Sequence, residues 1–511
     1  MYLGFDVGTQ GIRAILTSLD EGKIVASESV SFGRDFALYM SPGGFLPNKN
    51  VLIRHADPLM WLDGLDLVLK RLASSGADMA SVRSISGSAQ QHGTVYLNES
   101  FGKALAELNR DKRLSENISC SLSRSTSPIW MDHSTSDECA MLLAEFGSEV
   151  RTRTGSAPTE RFAGPQIMKF ARTEAAKYEE TAHVHLVSSF LCSVLSGANA
   201  PVDFGDGAGM NLLNLETLQW DADIVEFTAK NLTGKLPEAV PGSTIAGRLS
   251  PYFTKYGLKA DLPVIVWTGD NPSSLIGCGA FNPGSCIISL GTSDVVSAAM
   301  SEYAPPQDSG GNVFGNPAGG YMGISCFTNG SSARNKAFEE LEVGFDFADN
   351  EACLTTVPGN NGKLMLPYYF AESTPPVDKP GVVRNYDPTS ATRAENVRAL
   401  FESQAVTMRL HSKWLSEGFE SLRITGGASR SAGFRQIIAN VFQAHVLISE
   451  NPDTAALGAA LRACEGAGDA DFSELTEVFC KPDCTVEPDR ATAPVYDAML
   501  EKYEVFEKSG N

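Results

Sequence analysis

The residues best suited to chemistry cluster in residues 262–294, LPVIVWTGDNPSSLIGCGAFNPGSCIISLGTSD. The apolar, mostly β-branched run at 264–267 suits a buried strand. It ends in Thr268-Gly269-Asp270-Asn271-Pro272 and then a helix-like segment. Asp270 is therefore expected on a strand-to-helix turn, where α/β proteins place working groups. A second apolar run, 286–290, ends in Gly291-Thr292-Ser293-Asp294. Glycine lets backbone approach a phosphate closely, and the residues after it offer N–H and hydroxyl donors. A carboxylate on one turn and a phosphate cradle on the next would equip a protein to move a phosphoryl group from ATP to a hydroxyl. Each turn alone also fits an ordinary sheet edge.

Other turns extend the pattern. Near the start, Asp6-Val7-Gly8-Thr9-Gln10 tips a predicted hairpin, with Arg13 on its second strand. There Gly8 and Thr9 are placed to contact phosphate oxygens and Asp6 to hold magnesium through water, although a plain glycine hairpin reads the same way. Gly8-Thr9 and Gly291-Thr292 each follow an apolar strand, which points to an internal duplication with one copy per domain. Gln90-Gln91-His92-Gly93 closes another strand. Three hydrogen-bonding side chains beside a glycine suit a polyol or sugar better than a metal; a satisfied structural histidine is the alternative. Trp130 and Asp132 stand at a further edge. Arg161 precedes a helix and is either a ligand contact or a surface charge. Residues 201–211, with two acids and three glycines, are expected to form a turn packed near the site. The strand at 422–424 runs into Thr425-Gly426-Gly427-Ala428-Ser429-Arg430-Ser431 and a helix. That is a place for adenine and ribose to lie on bare backbone. The chain has no GxxxxGK[ST] phosphate loop.

The elements that must position these groups are predicted as follows. Asp57-Pro58 opens a helix, as a cap followed by proline. Thr392 and Glu395 form a capping box before a long helix. Asp453 caps a helix whose Gly458, Ala459 and Ala460 permit close packing. With 511 residues, two large domains are expected, divided as 1–258 and 259–511. The net charge of −20 argues against nucleic acid or an anionic membrane as partner, but not against ATP, whose site is local. No apolar run reaches a membrane span. The ten scattered cysteines suit reduced thiols, and Cys480 and Cys484 lack the partners of a zinc site. The chain enters its first strand without a leader, so a cytoplasmic location is expected.

Taken together, Asp6-x-Gly-Thr-Gln, Trp130-x-Asp132, Gly269-Asp270-Asn271, Ser289-Leu-Gly-Thr-Ser and Thr425-Gly-Gly-Ala-Ser resemble, in order and over nearly the whole chain, the FGGY carbohydrate kinases. This is a branch of the actin/hexokinase/Hsp70 superfamily. The resemblance implies two α/β, ribonuclease-H-like domains, with mixed sheets flanked by helices and a cleft between them. The N-terminal domain would hold the sugar and the C-terminal domain the nucleotide. It also implies ATP-dependent phosphorylation of D-xylulose, with ribulose or another ketose or polyol as the alternative acceptor, and magnesium as the cofactor. Within the family, Gln90-Gln91-His92-Gly93 is similar to the branch acting on xylulose; the Arg-Glu pair of the glycerol-specific branch is absent. Carried over by position, Asp270 is the catalytic base, and His92, Arg161, Asp270 and Asn271 contact the sugar. Gly427, Ala428 and Ser431 would contact the nucleotide, with Phe345 flanking the adenine, and Gly291, Thr292 and Gly426 are expected to join them from the turns read above. Ser431 departs from the asparagine of the family pattern.

Overall fold

The computed structural model describes residues 1–306, 310–416, 418–449, 451 and 453–510. The chain does not divide at a single point. Where a cut at 258/259 was expected, one compact unit takes Met1–Gly279, Val313–Tyr321 and Asp453–Cys480. The other takes Ala280–Asn312, Met322–Pro452 and Lys481–Asn511. Two long-range packings explain this. The stretch before Asp270 joins the N-terminal sheet, and a helix from the far end of the chain packs on the same sheet.

In the first unit the sheet contains β1 (Tyr2–Val7), β2 (Gly11–Ser18), β3 (Lys23–Ser31), β4 (Ser84–Ala89), β5 (Ile245–Arg248), β6 (Pro263–Ile265) and β7 (Thr268–Gly269). Its order is β5-β6-β4-β1-β2-β3, with β7 also pairing with β4. β1 is antiparallel to β2 and parallel to β4. The expected continuous strand at 264–267 is interrupted. Val264 pairs with Ile85, and pairing resumes as Thr268 with Ser88 and Gly269 with Ala89. Between them Trp267 stacks on Phe5, ring centroids 5.7 Å apart. Trp267 also covers Gly87, where a Cβ would lie 2.2 Å from the indole.

The second unit repeats the plan. Its sheet runs through β8 (Ser285–Leu290), β9 (Asp294–Met300), β10 (Tyr321–Phe327), β11 (Ser421–Thr425), β12 (His445–Ile448) and β13 (Cys484–Val486), in the order β10-β9-β8-β11-β12-β13. β8 is antiparallel to β9 and parallel to β11, as β1 is to β2 and β4. The duplication suggested by the two Gly-Thr turns is thus a repeated sheet topology.

Helices cover both sheets. α1 (Pro58–Ser74) is capped by Asp57, whose carboxylate accepts from Leu59 N at 2.9 Å. α2 (Ala163–Thr173) and α3 (Val187–Ser196) follow, and α4 (Asp270–Gly277) starts at the candidate base itself. In the second unit, α5 (Ser331–Leu341) and α6 (Arg393–His411) precede α7 (Ala432–Phe442), and α6 carries the predicted Thr392/Glu395 box. α8 (Thr454–Gly466) lies against β1 and α4. The predicted Asp453 cap makes no side-chain capping bond. Its carboxylate instead pairs with Arg13 at 2.7 Å. No described helix is long and apolar enough to cross a membrane.

The glycines of α4 and α8 set how closely these helices approach. A Cβ on Gly458 would lie 1.8 Å from Ser273 O, and one on Gly277 1.9 Å from Thr454 O. Nearby, Arg462 of α8 is fully buried and donates to the carbonyls of Gly87, Gly242 and Val266. Its guanidinium thus ties α8 to β4, to the turn before β5 and to the break between β6 and β7. Gly458→Ala should cost about 1–3 kcal/mol by overpacking. It should lower the melting temperature and, by displacing α4, reduce turnover. A variant with unchanged stability and turnover would mean that the α4–α8 contact does not position Asp270.

Candidate active site

In the first unit the structure brings together Asp6, Gln90, Gln91, His92, Arg161, Asp270 and Asn271. Three strand ends and one helix start do this. β1 ends just past Asp6, β4 ends at Ala89 immediately before the Gln-Gln-His run, and β7 passes directly into α4. Parallel pairing of β1 with β4 places Asp6 opposite Ser88, whose hydroxyl donates to Asp6 Oδ1 at 2.8 Å.

Asp270 is the first residue of α4, where the backbone dipole favours a negative charge. Asn271 N and Nδ2 reach Asp270 Oδ1 at 2.9 and 3.2 Å. Even so, its pKa is pushed up to about 7, first by burial and then by the Asp6 charge. Asp6 is itself raised, chiefly by burial. A carboxylate poised near neutrality is suited to accept a proton from a hydroxyl.

Gln91 positions this pair. Its Oε1 accepts from Asn271 Nδ2 at 2.9 Å. Its stem packs against Gly269, where a Cβ would come within 2.5 Å of Gln91 Cγ. Glycine before Asp270 is required by this contact. Below Asp270 lie two fully buried carboxyls, Asp203 and Asp206, both raised by burial. Asp206 accepts from Ser188 Oγ at 2.5 Å.

His92 has φ +70, a left-handed conformation rare outside glycine. Its Nδ1 lies 2.9 Å from Gly209 O, and its ring packs on Phe162 at 4.4 Å. Only a protonated Nδ1 can bond a carbonyl. Burial, with Arg161 adding repulsion, lowers its pKa to about 3, so the ring is neutral and Nε2 is an acceptor. Arg161 stands 5.8 Å from the Phe162 ring centroid. The 201–211 segment, expected near the site, supplies Gly209 O, Asp203 and Asp206. Gly209 is also needed for clearance, since a Cβ there would meet His92 Nδ1 at 2.9 Å.

The Asp6–Gln10 turn carries a short polar chain. Trp130 Nε1 donates to Thr9 Oγ1 at 2.8 Å, and Thr9 Oγ1 donates to Gln90 Oε1 at 3.2 Å. The Trp130 ring remains 43% exposed, so an aromatic surface borders this turn. Gly44, at φ +84, presses on the same turn, and a Cβ there would lie 1.8 Å from Thr9 O. Asp132 differs from its neighbour. It is fully buried, accepting from Arg54 N, Ser134 N and Gln166 Nε2. Cys480 is buried against Gly277 O at 3.3 Å and has a structural place.

In the second unit Gly291 O and Thr292 O accept from Ser331 N and Ser332 N at the start of α5. The acid of that turn, Asp294, is buried in a two-pronged pair with Arg334 at 2.7 and 2.8 Å. Gly426 needs its φ of +89, because a Cβ would lie 2.5 Å from Leu290 O. Gly427 has open space above it, while Ala428 is buried. Ser431 is buried and caps α7 through Phe434 N, and its hydroxyl donates to Asp349 Oδ1 at 2.5 Å. Asp349 also accepts from Gly433 N at 2.9 Å. This clasp joins the turn to the segment that begins at Phe345. Phe345 packs edge-on against Phe338 at 5.1 Å and stays partly exposed. No set of three or more metal-binding side chains gathers among the described residues.

A Gly-Thr turn repeated in two α/β units, with a near-neutral carboxylate beside one of them, is an arrangement that suits phosphoryl transfer to a hydroxyl. Residues 1–277 match the N-terminal domain, and residues 286–467 the C-terminal domain, of the FGGY family of carbohydrate kinases. The chain belongs to that family, and its phosphoryl donor is therefore ATP. It is 36% identical over 494 residues to xylulose kinase 2 of Arabidopsis thaliana, spanning 91% of this chain and 87% of that one. It is 33% identical over 521 residues to the xylulose kinase of Rattus norvegicus, spanning 99% and 96%. Among solved structures, the xyloylose kinase of Brucella ovis superposes with a TM-score of 0.82 at 25% identity, covering 99% of both chains. The xylulose kinase of Rhodospirillum rubrum, at 22% identity and TM-score 0.83 over 99% and 98%, shares the fold. The two-domain α/β fold expected from the resemblance is observed, with units that differ from the expected 1–258 and 259–511.

Gln91→Ala removes the support of Asn271 and Asp270 without touching the carboxylate. Small misplacement of a reacting group costs on the order of 10²-fold, so kcat should fall by about 10- to 100-fold with the fold intact by circular dichroism. A variant with wild-type kcat would show that Gln91 holds nothing the reaction needs.

Proposed function

We propose that this chain phosphorylates D-xylulose at its terminal hydroxyl, giving D-xylulose 5-phosphate and ADP. The observation that carries the reading is the Asp270 carboxylate, raised towards neutrality beside Asn271 and a neutral His92. The names of the relatives over nearly the full chain support the choice of sugar.

In this reading the first unit binds the ketose. His92 Nε2 and Asn271 Oδ1 accept from sugar hydroxyls, Arg161 donates to a sugar oxygen, and Asp270 accepts the proton of the attacking hydroxyl. The sugar oxygen bonds to the γ-phosphorus as the bond from that phosphorus to the bridging oxygen breaks. ADP leaves, and the proton rests on Asp270 until it is lost to water. Positioning and charge neutralisation account for most of such a transfer.

The second unit binds the nucleotide, with Gly426, Gly427 and Ala428 offering bare backbone to the adenosine and Gly291 and Thr292 meeting phosphate. Phe345 borders the adenine. Ser431 acts through the α7 cap and Asp349. The two carboxylates Asp6 and Asp270 carry charge that burial disfavours, which fits a hydrated magnesium ion. Asp6 would hold it through water, and the ion would offset phosphate charge. Buried thiols such as Cys192 and Cys286 fit a reducing, cytosolic setting.

ADP release measured with D-xylulose, D-ribulose, L-ribulose and glycerol tests the acceptor. D-Xylulose should give the highest kcat/KM, and a preference for any of the others would reassign the substrate. Asp270→Ala should lower kcat by about 10²–10⁴-fold while ATP binding by calorimetry stays within twofold. Wild-type turnover in that variant would remove Asp270 from the base role.

A further inference from the structure

In the first unit, four chain segments that carry none of the residues gathered at Asp270 line an open surface pocket of about 340 Å³. They are the turn at Phe36, the outer side of α1, residues 110–113, and the turn ending at Tyr256. In a chain with net charge −20, five cations line it: Lys70, Arg110, Lys112, Arg113 and Lys255. Three carboxylates also line it, and two of them are already occupied. Asp66 accepts from Tyr252 and Tyr256 hydroxyls, both at 2.7 Å, and from Leu114 N at 3.0 Å. Asp63 is buried and accepts from Tyr39 at 2.7 Å and Arg113 at 2.9 Å. These bonds draw Asp63 and Asp66 into the wall, while the third acid, Asp111, is exposed among the cations.

The cations are left differently. Arg113 is committed to Asp63 and Glu116. Lys255 lies over the Tyr252 ring, 3.6 Å from its centroid, with Asp66 only at 3.8 Å. Lys70, Arg110 and Lys112 are exposed, and among the described residues their side chains have no hydrogen-bond or ion-pair partner. Burial lowers the Lys255 pKa against the opposing charge of Asp66, and Arg110 adds a smaller repulsion. Phe36, Leu67 and Tyr256 give the cavity an apolar flank.

We propose that this cavity is a second ligand site, distinct from the Asp270 site, for the phosphate monoester of a small molecule. A dianionic phosphate satisfies several unpartnered cations at once. The volume falls within the range of small-molecule sites, and the apolar flank accommodates the carbon skeleton or base attached to the phosphate. The same chemistry could come from a sugar phosphate or a nucleotide, so both are tested.

Calorimetric titration of the full-length protein with ribose 5-phosphate, AMP and inorganic phosphate is compared with that of Lys70→Ala/Arg110→Ala/Lys112→Ala. A control, Lys230→Ala/Lys259→Ala, removes exposed charge elsewhere. At least one ester should bind the wild-type protein and the control alike, more weakly as salt rises. It should bind the triple variant at least tenfold more weakly, while the KM values for ATP and sugar stay unchanged. Which ester binds more tightly identifies the source. Equal binding by wild type and triple variant, or no ester binding at all, would overturn the proposal. So would inorganic phosphate binding as tightly as both esters, or loss of binding in the control as large as in the triple variant.

Discussion

The site depends on one electrostatic constraint. Asp270 must keep a carboxylate in surroundings that disfavour its charge, with the charge of Asp6 raising its pKa further. The helix start of α4 and the two Asn271 donors pull the other way. Burial wins, and the group settles near neutrality. Most of the unit serves that balance. β4 sets Ser88 against Asp6, Gln91 fixes Asn271, and Gly458 and Gly277 bring α8 close enough to seat α4.

The repeated sheet shows how one topology is turned to two uses. In the first unit, the hairpin and its parallel neighbour gather acids, amides and a neutral imidazole. In the second, Ser289 stands where Asp6 does, the acid after the turn, Asp294, is consumed by Arg334, and the equivalent strand end offers glycine backbone instead. Side chains that bond a hydroxylated ligand and bare backbone that admits a flat base are different demands. The two copies meet them with different residues on the same frame.

Local signals in the sequence were legible. The Gly-Asp-Asn-Pro turn at Asp270, the Asp57-Pro58 start and the Thr392/Glu395 box all act within a few residues, and each is found where it was expected. What was not legible acts across distance. Gly44 on Thr9, Gly458 on Ser273 and Arg462 on three backbone carbonyls depend on packing between remote segments. So does the pairing of Asp453 with Arg13, where proximity to a helix suggested a cap. Asp132 illustrates the same limit. An acid beside an exposed tryptophan looks available, but backbone and Gln166 donors hold it in the interior. The positive φ of His92 leaves no mark in residue type, because the strain is stabilised by the Gly209 carbonyl and the Phe162 ring.

The most direct test is the pH dependence of kcat/KM for D-xylulose between pH 5 and 9. Because the Asp270 pKa is raised, the base form is lost as pH falls through about 7. The account predicts a single acidic limb near that value, falling tenfold per pH unit below it. A profile that stays flat down to pH 5 would contradict it.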